Sequence, residues 1–180
     1  MQLGMIGLGK MGGNMARRLL AGGTRVIGYN QDTTATATLA EEAGLEAADS
    51  VADLVRQLDE PRKVWLMLPA GDVTEAVFTD LLALLEPGDL IIDGANSWYK
   101  DSIRRAGIAA DHGLLFCDAG VSGGIWGLKE GYALMVGGSV TAVERLKPIM
   151  RALAPAPDRG WVHCGPAGSG HFVKMINNGI

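Results

Sequence analysis

Apolar residues along this chain alternate between short unbroken runs and longer stretches spaced at three and four. The runs predict buried strands and the spaced stretches predict amphipathic helices. Leu3 to Ile6 is the first run, and Met11 to Leu20 the first helical stretch, stopped by Gly22-Gly23. Arg25 to Tyr29 predicts a second strand, followed by a Thr/Ala-rich helix from about Thr34 to Ala43. A short segment at Leu45 to Ala47 leads into a helix over Val51 to Leu58. Val64 to Leu68 reads as a strand closed by Pro69-Ala70-Gly71, then Val73 to Leu85 as a helix. Leu90 to Asp93, Leu114 to Asp118, Tyr132 to Val136 and Trp161 to Cys164 predict further strands. Helices are predicted over Trp98 to His112, over Val140 to Leu153 and from Gly168 onward. Strands that are apolar throughout and alternate with helices imply an α/β fold. Its form is a doubly wound, mostly parallel sheet with helices on both faces.

Composition narrows the class. The chain has 180 residues, 48% hydrophobic and 20% charged, with a formal net charge of −4. That size suits one core, and the negative balance argues against a nucleic-acid partner held through phosphates. The basic doublets Arg17-Arg18 and Arg104-Arg105 fall on predicted helices and read as solvated faces. No apolar stretch reaches bilayer-spanning length, and no charged leader precedes the first strand. The expectation is a cytoplasmic protein with no membrane partner. Cys117 and Cys164 lie far apart, and neither they nor the three histidines show metal-ligand spacing. The Pro/Gly-rich stretch from Pro155 to Gly170 is the expected boundary. It separates a Rossmann-type domain at 1–166 from residues 167–180, the start of a helix leading elsewhere.

Gly7, Gly9 and Gly12 are spaced G-x-G-x-x-G between the first strand and the first helix. In that context the first glycine allows a tight turn and the second a close backbone approach to a pyrophosphate. The third lets helix and strand pack closely. The helix N-terminus then offers free N–H groups and a positive dipole end. Gly7, Leu8, Gly9, Lys10, Met11 and Gly12 are thus the expected dinucleotide loop. After the second strand, Asn30 stands where an acidic ribose ligand is usual, followed by Gln31 and Asp32. Asp32 suits either ribose binding or capping of the next helix. No Arg or Lys follows before Arg56, which favours NAD over NADP. Leu68, Pro69 and Ala70 end a strand and could lie beside the ribose and nicotinamide.

Three later segments carry candidate chemistry. Asp93-Gly94-Ala95-Asn96-Ser97-Trp98 sits between strand and helix, where Asn96 or Ser97 can cap the helix while facing the crevice. Gly120 to Gly127 reads as a glycine-rich loop whose N–H groups could hold a carboxylate or hydroxyls. On the last helix Lys174 and Asn178 are i and i+4 and share a face. A lysine partly desolvated in a crevice can act as a general base. Taken singly, the first of these segments also reads as an N-cap and the last as an exposed lysine.

Together they resemble the 6-phosphogluconate dehydrogenase family, within the β-hydroxyacid dehydrogenases. GLGKMGGNMARRL, DGANSWYKDSIRRA, GVSGGIWGLKEGYALMVGG and GPAGSGHFVKMINNGI match that family in order and spacing over the whole chain. Ile125-Trp126 resembles its shorter, NAD-preferring branch. The resemblance implies oxidative decarboxylation of 6-phosphogluconate to ribulose 5-phosphate, with hydride transfer to NAD or NADP and no metal. It places that reaction in the pentose phosphate pathway. The alternatives are a dehydrogenase or reductase for another β-hydroxyacid, such as 3-hydroxyisobutyrate, or a non-catalytic NAD(P)-binding module.

By the same resemblance, Ser122, Gly123 and Gly124 would hold the substrate's carboxylate and hydroxyl end. Asn96 would lie between nicotinamide and substrate. Lys174 would take the proton of the 3-hydroxyl, and Asn178 would hydrogen-bond that hydroxyl. Asn177 stands where the family commonly has histidine, so it can donate but not titrate. The family continues with a helical C-terminal domain that supplies a further acid and most of the phosphate grip, and forms a homo-oligomer. The chain is therefore expected to bind dinucleotide with little or no turnover of its own.

Overall fold

A computed structural model describes all 180 residues. The chain forms β1 (Gln2–Ile6), α1 (Lys10–Ala21), β2 (Arg25–Tyr29), α2 (Thr33–Ala43), β3 (Glu46–Ala47) and α3 (Val51–Gln57). Next come β4 (Lys63–Leu66), α4 (Asp72–Leu84), β5 (Leu90–Asp93), α5 (Tyr99–Asp111) and β6 (Leu115–Ser122). A 3-10 turn at Gly124–Trp126 runs into α6 (Gly127–Glu130), then β7 (Ala133–Gly138), α7 (Val140–Leu153), β8 (Trp161–Gly165) and α8 (Ser169–Gly179). None of these helices is long and apolar enough to cross a membrane.

One sheet takes all eight strands in the order 3-2-1-4-5-6-7-8. Every pairing is parallel except β6 with β7. Successive residues of a strand face opposite sides, so each buried strand feeds two cores. Leu3, Met5, Val26, Trp65 and Ile92 join the core under α1 and α7. Ile6, Ile27, Val64, Leu66 and Ile91 join the one under α3, α4 and α5. The order reverses between β1 and β4, and ligand crevices open at the carboxyl ends of strands at such a point. The glycine loop after β1 and Met67-Leu68, just past β4, meet there.

Three readings of the sequence change. β6 runs on to Ser122 instead of stopping at Asp118, so Gly120 lies in a strand paired with Met135. The reason it is glycine is tertiary: a Cβ there would come 2.5 Å from the Cβ of Lys174 on α8. α5 takes Trp98 as its N-cap with no side-chain bond, so neither Asn96 nor Ser97 caps it. The arginine doublets are not both solvated. Arg105 is 2% exposed, and Arg18 spends its guanidinium on the carbonyls of Leu128, Lys129 and Ala154, pinning α6 and the end of α7 to α1. The strand expected at Trp161 to Cys164 forms as β8 and extends the sheet beside β7.

Candidate active site

The glycine loop is built by close approach. Gly7 has φ +96° and donates its N–H to Tyr29 O at 2.9 Å, and a Cβ on it would lie 2.2 Å from Met67 O. A Cβ on Gly12 would lie 2.1 Å from Gly7 O, so α1 sits on the loop with no space between. Gly9 differs: nothing lies within 4 Å of where its Cβ would be. The second glycine is therefore spared for something outside the protein. It is also the N-cap of α1 and makes no side-chain cap bond, which leaves the first-turn N–H groups of α1 facing that open space. A pyrophosphate fits this cradle in size and in charge.

Asn30 braces the loop from the next strand. Its Oδ1 accepts the Leu8 N–H at 2.9 Å and its Nδ2 donates to Asp32 O at 3.1 Å, so both ends of its amide are engaged within the protein. Asp32 does cap α2: Oδ1 accepts the Thr34 N–H at 3.0 Å. Gln31 is exposed.

A cavity of about 290 Å³ opens beside the loop, lined by Gly9, Lys10, Met11, Gly12, Leu68 and Asn96 among others. Leu68 belongs to this wall. Pro69 and Ala70 do not; both are exposed, and the Pro69 carbonyl accepts the Thr74 hydroxyl at 2.8 Å. Asn96 also lines a second cavity of about 400 Å³, together with Ser97, His171, Lys174 and Asn178. It is the wall the two cavities share.

Arg105 holds Asn96 in that wall. Asp93 at the end of β5 accepts Ala95 N–H on Oδ1 (3.0 Å) and Arg105 Nη1 on Oδ2 (3.0 Å). The same Nη1 reaches Ser97 Oγ at 3.2 Å, while Nε donates to Glu75 Oε2 at 2.8 Å. The loop from Gly94 to Ser97 is thus tied at both ends to one buried guanidinium. The Arg104 guanidinium, hydrogen-bonded to Glu75, holds that carboxyl down at about 2, with Arg105 adding to it.

Lys174 is presented by a helix whose N-terminus is capped from the sheet. Gly168, the N-cap of α8, has φ +94° and no side chain to offer. Asp118 of β6, wholly buried, supplies the missing acceptor to the N–H groups of Gly168 (2.7 Å) and His171 (2.8 Å). Lys174, one turn further on, is half-buried, and its ammonium enters no ion pair. His171 Nδ1 lies 2.7 Å from Ser102 Oγ, and its buried Nε2 has no protein partner. Ser102, His171 and Asp118 do not make a nucleophilic triad. Serine and aspartate face the same ring nitrogen, whereas a relay needs one at each.

Lys174, Asn178 and Asn96 are thus brought together. Ser122 and Asn177 instead line a separate groove of about 370 Å³ beside β7 and β8. Gly124 meets Lys10 and Met11 in a small cavity of about 190 Å³, and Gly123 lines neither. Arg105, Asp118 and His171 were missed as site residues. Asp93 and Arg105 twelve positions apart carry no local signal, because their contact exists only once β5 and α5 pack.

Fold, glycine loop and crevice together define a dinucleotide-binding α/β domain of the Rossmann type. The chain belongs to the family of NAD binding domains of 6-phosphogluconate dehydrogenase, whose family model matches residues 2–165. It is 44% identical over 180 residues to the NAD(+)-dependent, decarboxylating 6-phosphogluconate dehydrogenase of Haloferax volcanii. That match covers 100% of this chain and 58% of the relative. Plasmodium falciparum 6-phosphogluconate dehydrogenase, solved with NADP+ and with 6-phosphogluconate, superposes with TM-score 0.92 at 32% identity. The overlap is 99% of this chain and 40% of that one. Mycobacterium tuberculosis 3-hydroxyisobutyrate dehydrogenase with L-serine gives TM-score 0.88 at 34% identity, over 98% and 58% of the two chains. The chain therefore spans well under two thirds of the length of these relatives.

Proposed function

We propose that this chain is the cofactor-binding part of an oxidoreductase that oxidises and decarboxylates 6-phosphogluconate to ribulose 5-phosphate, with NAD or NADP. The observation that carries the reading is Asn96, the wall between the glycine-loop cavity and the cavity of Lys174 and Asn178. Hydride transfer needs the donor and acceptor carbons within about 3.5 Å of each other, and a residue bordering both cavities sets the two side by side. Gly9, Lys10, Met11 and Gly12 would hold the pyrophosphate, and the nicotinamide supplies the hydride acceptor.

Lys174 takes the proton of the substrate's 3-hydroxyl as the C–H bond at C3 breaks. Its freedom from carboxylate partners leaves its Nζ available for that role. Asn178, one turn on, donates to the same oxygen. The resulting 3-keto acid has its own electron sink, so the C1–C2 bond breaks as CO₂ leaves. Lys174, now protonated, stabilises the enediol oxygen as it forms. Ser122, Gly123, Gly124 and Asn177 contribute to substrate only if the separate groove they border closes toward Lys174.

The remaining length of the relatives corresponds to a second domain after residue 166 in this reading. Phe172, Met175 and Ile176 of α8 and Ile180 just after it are exposed and apolar, as a face awaiting such a domain would be, and the whole enzyme would be a homo-oligomer. Two unpaired thiols, one buried, suit the cytoplasm.

The likeness to 3-hydroxyisobutyrate dehydrogenase supports a second reading, a simpler β-hydroxyacid as substrate. Both readings are tested by assaying the chain extended to the length of its relatives, with 6-phosphogluconate and with 3-hydroxyisobutyrate. Turnover of the first, lost by about 10²–10⁴-fold in Lys174→Ala, is the expected result. Turnover of the second alone would replace the substrate assignment.

A further inference from the structure

A cavity of about 260 Å³ lies on the far side of the glycine loop from Lys174, lined by Leu8, Arg17, Asp32, Thr34 and Thr38 among others. Its position, at the end of β2, is where the adenosine ribose of a dinucleotide would lie. Two opposite charges, those of Asp32 and Arg17, share its lining. Asp32 spends Oδ1 on the Thr34 N–H and leaves Oδ2 unbonded, an acceptor suited to a ribose hydroxyl and repelled by a phosphate. Arg17 enters from α1 and carries the one cationic group in the lining. The chain after β2 offers no cation, so this guanidinium is invisible to a reading of that segment alone.

Arg17 is not free. Its Nη2 lies 3.1 Å from Glu42 Oε2 on α2, and its Nη1 lies 3.3 Å from Asn14 Oδ1. A guanidinium is the side chain best matched to a phosphate, by paired charge-assisted hydrogen bonds. Resting on the dinucleotide reading above, we propose that Arg17 is a latent 2′-phosphate ligand. Asp32 and Glu42 hold the pocket in the form that takes the unphosphorylated ribose of NAD. The Arg17 and Glu42 side chains are 33% and 58% exposed, and exposed pairs are weak. Glu42 therefore only biases Arg17, and Asp32 carries most of the discrimination against NADP.

The test is calorimetric titration of NAD and of NADP into the chain and three variants. These are Asp32→Ser, Asp32→Ser with Glu42→Gln, and that pair with Arg17→Ala added. Serine keeps the cap on α2, and thermal melts followed by circular dichroism verify folding in each. The unaltered chain is expected to bind NAD more tightly than NADP. The double variant should gain about tenfold or more for NADP, the worth of one hydrogen bond to a charged group. Adding Arg17→Ala should abolish that gain while NAD affinity moves by less than about threefold. Unchanged NADP affinity in the double variant, or a gain that survives Arg17→Ala, overturns the proposal alone. An unaltered chain that binds neither dinucleotide overturns the underlying reading with it.

Discussion

Asp118 Oδ2 accepts the backbone N–H of His171 at 2.8 Å, from the middle of a strand to the first turn of a helix 53 residues later. With Gly168 N–H on Oδ1, one buried carboxylate takes over the capping of α8 and thereby sets where Lys174 stands. Replacing Asp118 by Ala strands two buried N–H groups, each worth about 1–3 kcal/mol. The expected loss is about 3 kcal/mol of unfolding free energy by urea titration. Asp118→Asn, which keeps one acceptor, should lose roughly half as much. Equal stability of Asp118→Ala and the unaltered chain would show that the cap carries no weight.

The docking of α8 also depends on Gly120. A methyl group there would lie 2.5 Å from Lys174 Cβ and 3.3 Å from Gly170 O. Gly120→Ala is therefore expected to push the helix off the sheet at a cost of about 1–3 kcal/mol. In the extended enzyme it should lower kcat more than it raises KM, because it moves the proposed base.

Two glycines of the loop should separate folding from binding. Gly12→Ala meets Gly7 O at 2.1 Å, and should cost about 2 kcal/mol or more by overpacking. Gly9→Ala meets nothing, so its stability should change by less than about 1 kcal/mol. Its methyl group occupies the space meant for the pyrophosphate, so NAD affinity should fall about tenfold or more. A Gly9→Ala chain that binds NAD normally would remove the loop from the site.

Acid should loosen the tie between α4 and α5. Hydrogen bonding by Arg104, then Arg105, lowers the Glu75 carboxyl from 4.5 to about 2. A carboxyl lowered on folding stabilises the fold above its unfolded value and stops doing so as pH falls through its folded one. The stability that Glu75 adds is thus complete above pH 4.5 and drains away toward pH 2. The pair is partly exposed, which keeps the amplitude small. Urea titrations across that range should show a shallower fall for Glu75→Gln than for the unaltered chain.

Much of the fold was legible because buried parallel strands must be apolar on both faces. Arg25–Tyr29, Leu90–Asp93 and Val140–Leu153 stand where the pattern puts them. Gly120 to Ser122 read as loop because glycine signals a turn locally, while in β6 Gly120 answers to a helix packing across the strand. Arg104-Arg105 read as a surface doublet for a similar reason. Local charge says nothing of a buried carboxylate, and Asp93 reaches Arg105 only through the packing of α5 on β5.

The sequence by itself determined the alternation of strands and helices, the glycine loop and the types of residue available for chemistry. Those are properties of neighbours in the chain, where periodicity and backbone freedom act. Only the tertiary structure decided which of them meet. It set Asn96, Lys174 and Asn178 around one cavity, left Ser122 and Asn177 on another, and carried Arg17 to the end of β2. Such meetings depend on sheet order and on side chains finding partners across long loops, and no local pattern encodes that.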